Sequence, residues 1–113
     1  MAELTDPEDA KLLVLARAHR SRAGSSAGAA VRDTDGRTYS AVAVNLASLR
    51  LSAVQLAVAT SVSSGSRGLE AVVIVGVDEV ADDDLSTARD FAGAGVPVLV
   101  ASAEGDLVGV VTT

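Results

Sequence analysis

The 113-residue chain has no cysteine. That excludes disulfides, thiolate nucleophiles, iron–sulfur clusters and every zinc site that needs a thiolate ligand. Tryptophan is also absent, and Tyr39 and Phe91 are the only aromatic residues, so a core has to be built from Val, Leu and Ala packed closely together. A single histidine, His19, leaves any Ser-His-Asp triad dependent on one residue, and no G-x-S-x-G elbow occurs among the many serines. No apolar run approaches the roughly 20 residues of a membrane helix, because Arg67, Gly68 and Glu70 interrupt the sequence before Ala71–Val77. The opening residues, Met1 to Asp9, lack the basic and apolar regions of a secretory signal. A cytoplasmic protein with no membrane association is expected. Positive charge is in deficit, with 9 basic against 15 acidic side chains and a formal net charge of −6. Such a surface repels phosphate backbones, and the arginines are scattered except at Arg17, Arg20 and Arg22, so nucleic acid is not an expected partner.

Helical and strand periodicities alternate along the chain. Thr5-Asp-Pro-Glu8 has capping-box spacing, with Thr5 as N-cap and Pro7 in the first turn. Ala10, Leu13, Val14 and Ala16 follow at helical intervals, which predicts a first helix to about Ser21. Gly24 to Gly28 breaks it. Ala29–Val31 then leads into Asp33-Thr-Asp-Gly36, a hairpin turn with glycine where positive φ is needed, and Thr38–Val44 is the returning strand. Ser48 or Ser52 caps a second helix through Ser63, with Leu51, Leu56, Ala59 and Val62 available for burial. This helix is apolar all round, which implies burial on more than one side, by the core or by another copy of the chain. Leu69–Val77, rich in β-branched residues, reads as a central strand. Asp82, Asp83 and Asp84 open a third helix ending at Gly93 or Gly95, their charge matching the helix dipole. Val98–Ala101 and Leu107–Val111 must pair antiparallel, because Ser102–Asp106 is too short for a parallel crossover of about a dozen residues. The order helix, hairpin, helix, strand, helix, hairpin predicts an α/β fold in one domain over residues 1–113, without repeat or linker.

That order, with Ala27-Gly-Ala-Ala-Val-Arg-Asp-Thr-Asp-Gly36 in the first hairpin, resembles the small homotetrameric cytidine deaminases, whose first hairpin reads valine-glycine-alanine-alanine before an acidic-glycine turn. Val44-Asn-Leu-Ala-Ser48 is similar to the family's stretch ending in asparagine-alanine-serine, with Leu46 in place of the asparagine, and Ser63-Ser-Gly65 resembles the exit of its zinc helix. The resemblance implies a three-layer α/β/α fold with a mixed sheet of about five strands and an antiparallel final hairpin. It also implies where catalysis would sit. Zinc deaminases use a Cys or His ligand and a glutamate on one helix and two Cys ligands on the next, since zinc activates water while glutamate shuttles protons. Laid on that pattern, Ser52-Ala-Val-Gln55 puts Ser52 at the first ligand position and Val54 at the acid/base position, with Gln55 retained. This requires a loop shortened by two residues; without the gap Val54 and Leu56 fall there. Asp84-Leu-Ser-Thr-Ala-Arg89 puts Leu85 and Ala88 in place of the two thiolates, and only Arg89 agrees. Ser25 stands near the family's base-stacking phenylalanine, and Ala43 and Asn45 where asparagine and glutamate would hold the ribose. Asn45 alone keeps hydrogen-bonding capacity.

The remaining polar residues have ordinary structural explanations. His19 lies in the charged Arg17–Arg22 stretch with no evident orienting partner and is expected to be solvated. Asp82–Asp84 lacks an EF-hand pattern, and Ser64-Gly-Ser-Arg-Gly-Leu69 leaves a helix rather than opening one, so neither a cation site nor a phosphate cradle is expected. The expectation is therefore a non-catalytic cytidine deaminase-like protein without zinc or other cofactor, acting as a homo-oligomeric (dimeric or tetrameric) binding or scaffold protein. Two alternatives remain: a nucleoside enzyme using His19 with Asp82–Asp84 or a metal-free site at Asn45, and an interaction module with no small-molecule site.

Overall fold

The computed structural model describes residues 6–113, so the Thr5 cap lies outside the described residues. The first helix, α1 (Pro7–Ala23), is capped by Asp6, whose carboxylate accepts the Glu8 amide at 2.8 Å, and Pro7 occupies the first turn. It ends at Gly24 in the left-handed conformation. Its buried face is Leu12 and Ala16, one turn apart, while Leu13 and Leu15 pack at the margin. Val14, expected inside, is 64% exposed. The apolar residues of this helix cover more than one face, so spacing alone does not single out the one that meets the sheet.

Strands β1 (Gly28–Asp33) and β2 (Thr38–Val42) form the first hairpin. A short ladder, β3 (Val44–Asn45) with β4 (Arg50–Leu51), stands apart from the main sheet and cuts the second strand shorter than its apolar pattern suggested. Helix α2 (Ala53–Ser63), strand β5 (Leu69–Val75), helix α3 (Asp82–Ala92) and the hairpin β6 (Pro97–Ala101) and β7 (Leu107–Thr112) follow. The five long strands form one mixed sheet in the order β2-β1-β5-β6-β7, with β5 and β6 parallel and every other neighbour antiparallel. The final hairpin is antiparallel, as its short connection demanded.

Strand alternation sorts the interior into two cores. Ala29, Val31, Val72, Ile74 and Val98 point to the side covered by α2 and α3. Ala30, Ala71, Val73, Val75, Leu99 and Ala101 point to the side covered by α1. Both faces of β1 and β5 are covered, which is why these strands read as continuous apolar runs. Close packing depends on the absence of a side chain at Gly28, where a Cβ would lie 2.7 Å from the Ala16 carbonyl oxygen on α1. β7 closes the sheet at its other end, with Val108, Val110 and Val111 between 43 and 52% exposed and no described strand along its outer edge.

Asp33 anchors the first hairpin from within. Its buried carboxylate accepts from the amides of Asp35 and Arg37 (both 2.9 Å), from Arg37 Nε at 3.1 Å and from the buried Ser66 hydroxyl at 2.7 Å. Burial pushes the Asp33 carboxyl up, but the bonds from Ser66, Arg37 and Asp35 and the Arg37 charge outweigh it and hold the group below the usual 3.8. The polar connection 64–69 thus supplies a tertiary contact, because Ser66 ties the exit of α2 to the β1–β2 turn.

Candidate functional site

The carboxyl ends of β2 and β5 deliver the chain to the starts of α2 and α3, so the two helix N-termini meet on one side of the sheet. Ser52 caps α2. Its hydroxyl accepts the Gln55 amide at 3.0 Å, and Gln55 returns the bond by accepting the Ser52 amide at 2.9 Å. The sequence offered Ser48 or Ser52 as this cap, and the structure uses Ser52 in a capping box completed by Gln55. Not legible was the hydroxyl's second bond: Ser52 Oγ donates to Asp84 Oδ1 at 2.5 Å across 32 residues of sequence. Asp84 lies in the first turn of α3, whose N-cap, Ala81, makes no side-chain cap. One carboxylate therefore stands at the positive end of both helix dipoles.

Behind this clasp the site is apolar. Val54 is 2% exposed and Ala88 1% exposed, and both belong to one cluster with Ala53, Ala57 and Val58, against which Leu85 packs. The structure thus gathers Ser52, Val54, Leu85 and Ala88 at one helix–helix junction. It leaves Asn45 out. That residue is exposed on β3, paired through its backbone with Arg50. Nor do His19 and Asp82–Asp84 converge. His19 sits on the α1 side, half-buried, with Nδ1 2.8 Å from Ser40 Oγ on β2, which corrects the expectation of a solvated, unpartnered ring. Asp82 and Asp83 are exposed at the start of α3, on the other side of the sheet. Among the described residues no group of three His, Cys, Asp or Glu is placed to hold a metal ion.

The outer surface of α2 also departs from expectation. The helix buries Ala53, Val54, Ala57, Val58 and Ser61, while Leu51 and Leu56 are half-buried and Ala59 and Val62 are exposed. With uniform hydrophobicity around the helix, no periodic signal marks the inner face. Val58, Val62 and Phe91 line an open groove of about 510 Å³ between α2 and α3. No described helix is long and apolar enough to cross a membrane.

The family described as cytidine deaminase-like matches residues 5–105. The chain belongs to that family. Among solved structures, cytidine deaminase from Burkholderia pseudomallei superposes with a TM-score of 0.75 at 22% identity, over 91% of this chain and 89% of that one. Cytidine deaminase from Mycobacterium leprae gives 0.74 at 24% identity, over 95% and 94% of the two chains. The enzyme from Mycobacterium tuberculosis gives 0.69 at 24%, over 84% and 85%. At these identities the likeness speaks for the fold. No significant match is found among curated proteins.

Proposed function

We propose that this cytidine deaminase-like protein is a non-catalytic member of its family, a pseudoenzyme that works as a homo-oligomeric binding or scaffold protein in the cytoplasm. The observation that carries the reading is the junction of α2 and α3. Ser52, Val54, Leu85 and Ala88 stand where the resemblance implies ligands and a proton carrier, and three of these four side chains are packed hydrocarbon. Zinc takes thiolate, imidazole and carboxylate donors in a tetrahedral set. One hydroxyl and one carboxylate, already bonded to each other, do not fit it. Val54 and Leu85 also offer no group that moves a proton.

Its oligomeric character rests on the outer face of α2, where Val62 and Ala59 stay exposed in a groove that they line with Phe91 and with Gln55, Thr87 and Asp90. Burying that face against a second copy would cover Ala59 and Val62, with Thr60 and Ser63 as polar residues beside them. Asn45 remains the one candidate for a retained nucleoside contact.

Metal content of the purified protein, together with ultraviolet monitoring of cytidine and deoxycytidine, tests the chemical half of this reading. Neither stoichiometric zinc nor turnover is expected, and finding either sinks it. Mass in solution tests the other half: a strict monomer at tens of micromolar rules out the homo-oligomer.

A further inference from the structure

We propose that the concavity between the last turns of α1 and the β6–β7 turn binds a small anion of the phosphate class. It measures about 350 Å³ and is lined by Val14, Arg17, Ala18, Arg20, Ser21 and Ala103. Neither Arg17 nor Arg20 takes part in any ion pair among the described residues.

Arg20 is held from behind, and Arg17 reaches over the neighbouring turn. Arg20 donates Nε to the Ser26 carbonyl at 3.0 Å, which fixes the side chain and leaves its terminal nitrogens without a partner among the described residues. Arg17 lies across Gly105 of the β6–β7 turn, where a Cβ would come within 2.7 Å of its Nη1. A helix C-terminus attracts cations on its own account. Here two of the last four carbonyls already have partners, since Gly24 N bonds Ser21 O at 3.2 Å and Ser25 N bonds Arg20 O at 3.0 Å. Among the described residues neither arginine donates to a carbonyl of α1, and the one bond Arg20 makes goes to Ser26, beyond the helix end.

Two guanidinium forks and the Ser21 hydroxyl offer more donors than one carboxylate can accept, and they suit an anion with three free oxygens. A net charge of −6 opposes long polyanions, so the ligand is a small molecule rather than nucleic acid. The site is also independent of the α2–α3 junction, because α1 covers the opposite face of the sheet.

Calorimetric titration with inorganic phosphate, pyrophosphate and acetate, at ionic strength held constant with sodium chloride, tests the assignment. Saturable one-site binding of pyrophosphate and phosphate is expected, weakened at least tenfold by Arg17→Ala and unchanged by Arg89→Ala on α3. Thermal unfolding of each variant verifies that it is folded. Absence of saturable binding at millimolar pyrophosphate, equal affinity in Arg17→Ala, or acetate binding as tightly as phosphate overturns the proposal.

Discussion

Replacing Ser52 and Asp84 singly and together isolates the bond that joins the two helix N-termini. Ser52→Ala removes an N-cap, which costs about 1 kcal/mol. It also removes a hydrogen bond to a charged acceptor, for which the net contribution is about 1.5–3 kcal/mol. Both partners are half-exposed, so the lower part of that range applies, and Ser52→Ala is expected to cost roughly 2–3 kcal/mol in all. Asp84→Ala loses the same bond and the favourable charge at two helix starts, for roughly 1.5–2.5 kcal/mol. The loss of the bond is counted in both single variants but occurs once in the double variant. The double variant is therefore less destabilised than the sum, by about 1–2 kcal/mol. Urea unfolding of the four proteins measures this, since with a slope of about 1–3 kcal/mol per molar each single change moves the midpoint by roughly 0.5–3 M. Asp84→Asn keeps a neutral acceptor and should fall between Asp84→Ala and the parent. Additivity within about 0.5 kcal/mol refutes the clasp and leaves Asp84 as an ordinary acidic residue of a helix first turn.

At the first hairpin, Asp33→Ala removes the acceptor of four hydrogen bonds, one of them from buried Ser66, and should destabilise by roughly 2–4 kcal/mol in the same assay. Because the folded Asp33 carboxyl titrates below its ordinary 3.8, its contribution is complete above that pH and is lost as pH falls through the lower folded value. Asp33→Asn should accordingly show a smaller loss of stability than the parent between pH 4 and pH 2, and identical acid dependence would contradict the assignment. Gly28→Ala places a methyl group 2.7 Å from a backbone oxygen of α1 and should cost about 1–3 kcal/mol as overpacking; an unchanged unfolding midpoint would show that α1 can shift freely.

The sheet was legible because β1, β5 and β6 are short β-branched or small-residue runs between glycines and acids, and because five residues cannot carry a parallel crossover. Ser52 was legible as one of two candidate caps, with Ser48, for the same kind of reason: capping is local. Its bond to Asp84, the bond of Ser66 to Asp33 and that of His19 to Ser40 join residues 21 to 33 apart in sequence. No periodicity encodes such a distance. The buried faces of α1 and α2 were obscured differently, since apolar residues surround both helices and only tertiary packing selects Leu12 over Val14, or Ala57 over Val62. What needed no structure was the shortage of ligands, because a chain without cysteine cannot make a thiolate site in any alignment.

The open margin of the sheet bears on how this protein behaves in concentrated solution. Leu107 to Thr113 contains no charged side chain and no proline, and its valines stand exposed on a strand whose outer edge pairs with no other strand among the described residues. Such an edge is a template for pairing with another molecule unless something keeps molecules apart. Here that task falls to acids elsewhere on the surface, whose excess gives every copy the same sign at neutral pH. Near pH 4.5 the excess vanishes, and colloidal stability goes with it. Light scattering against pH should therefore show clustering set in there while the helices are still intact, with salt bringing the onset closer to neutrality by screening.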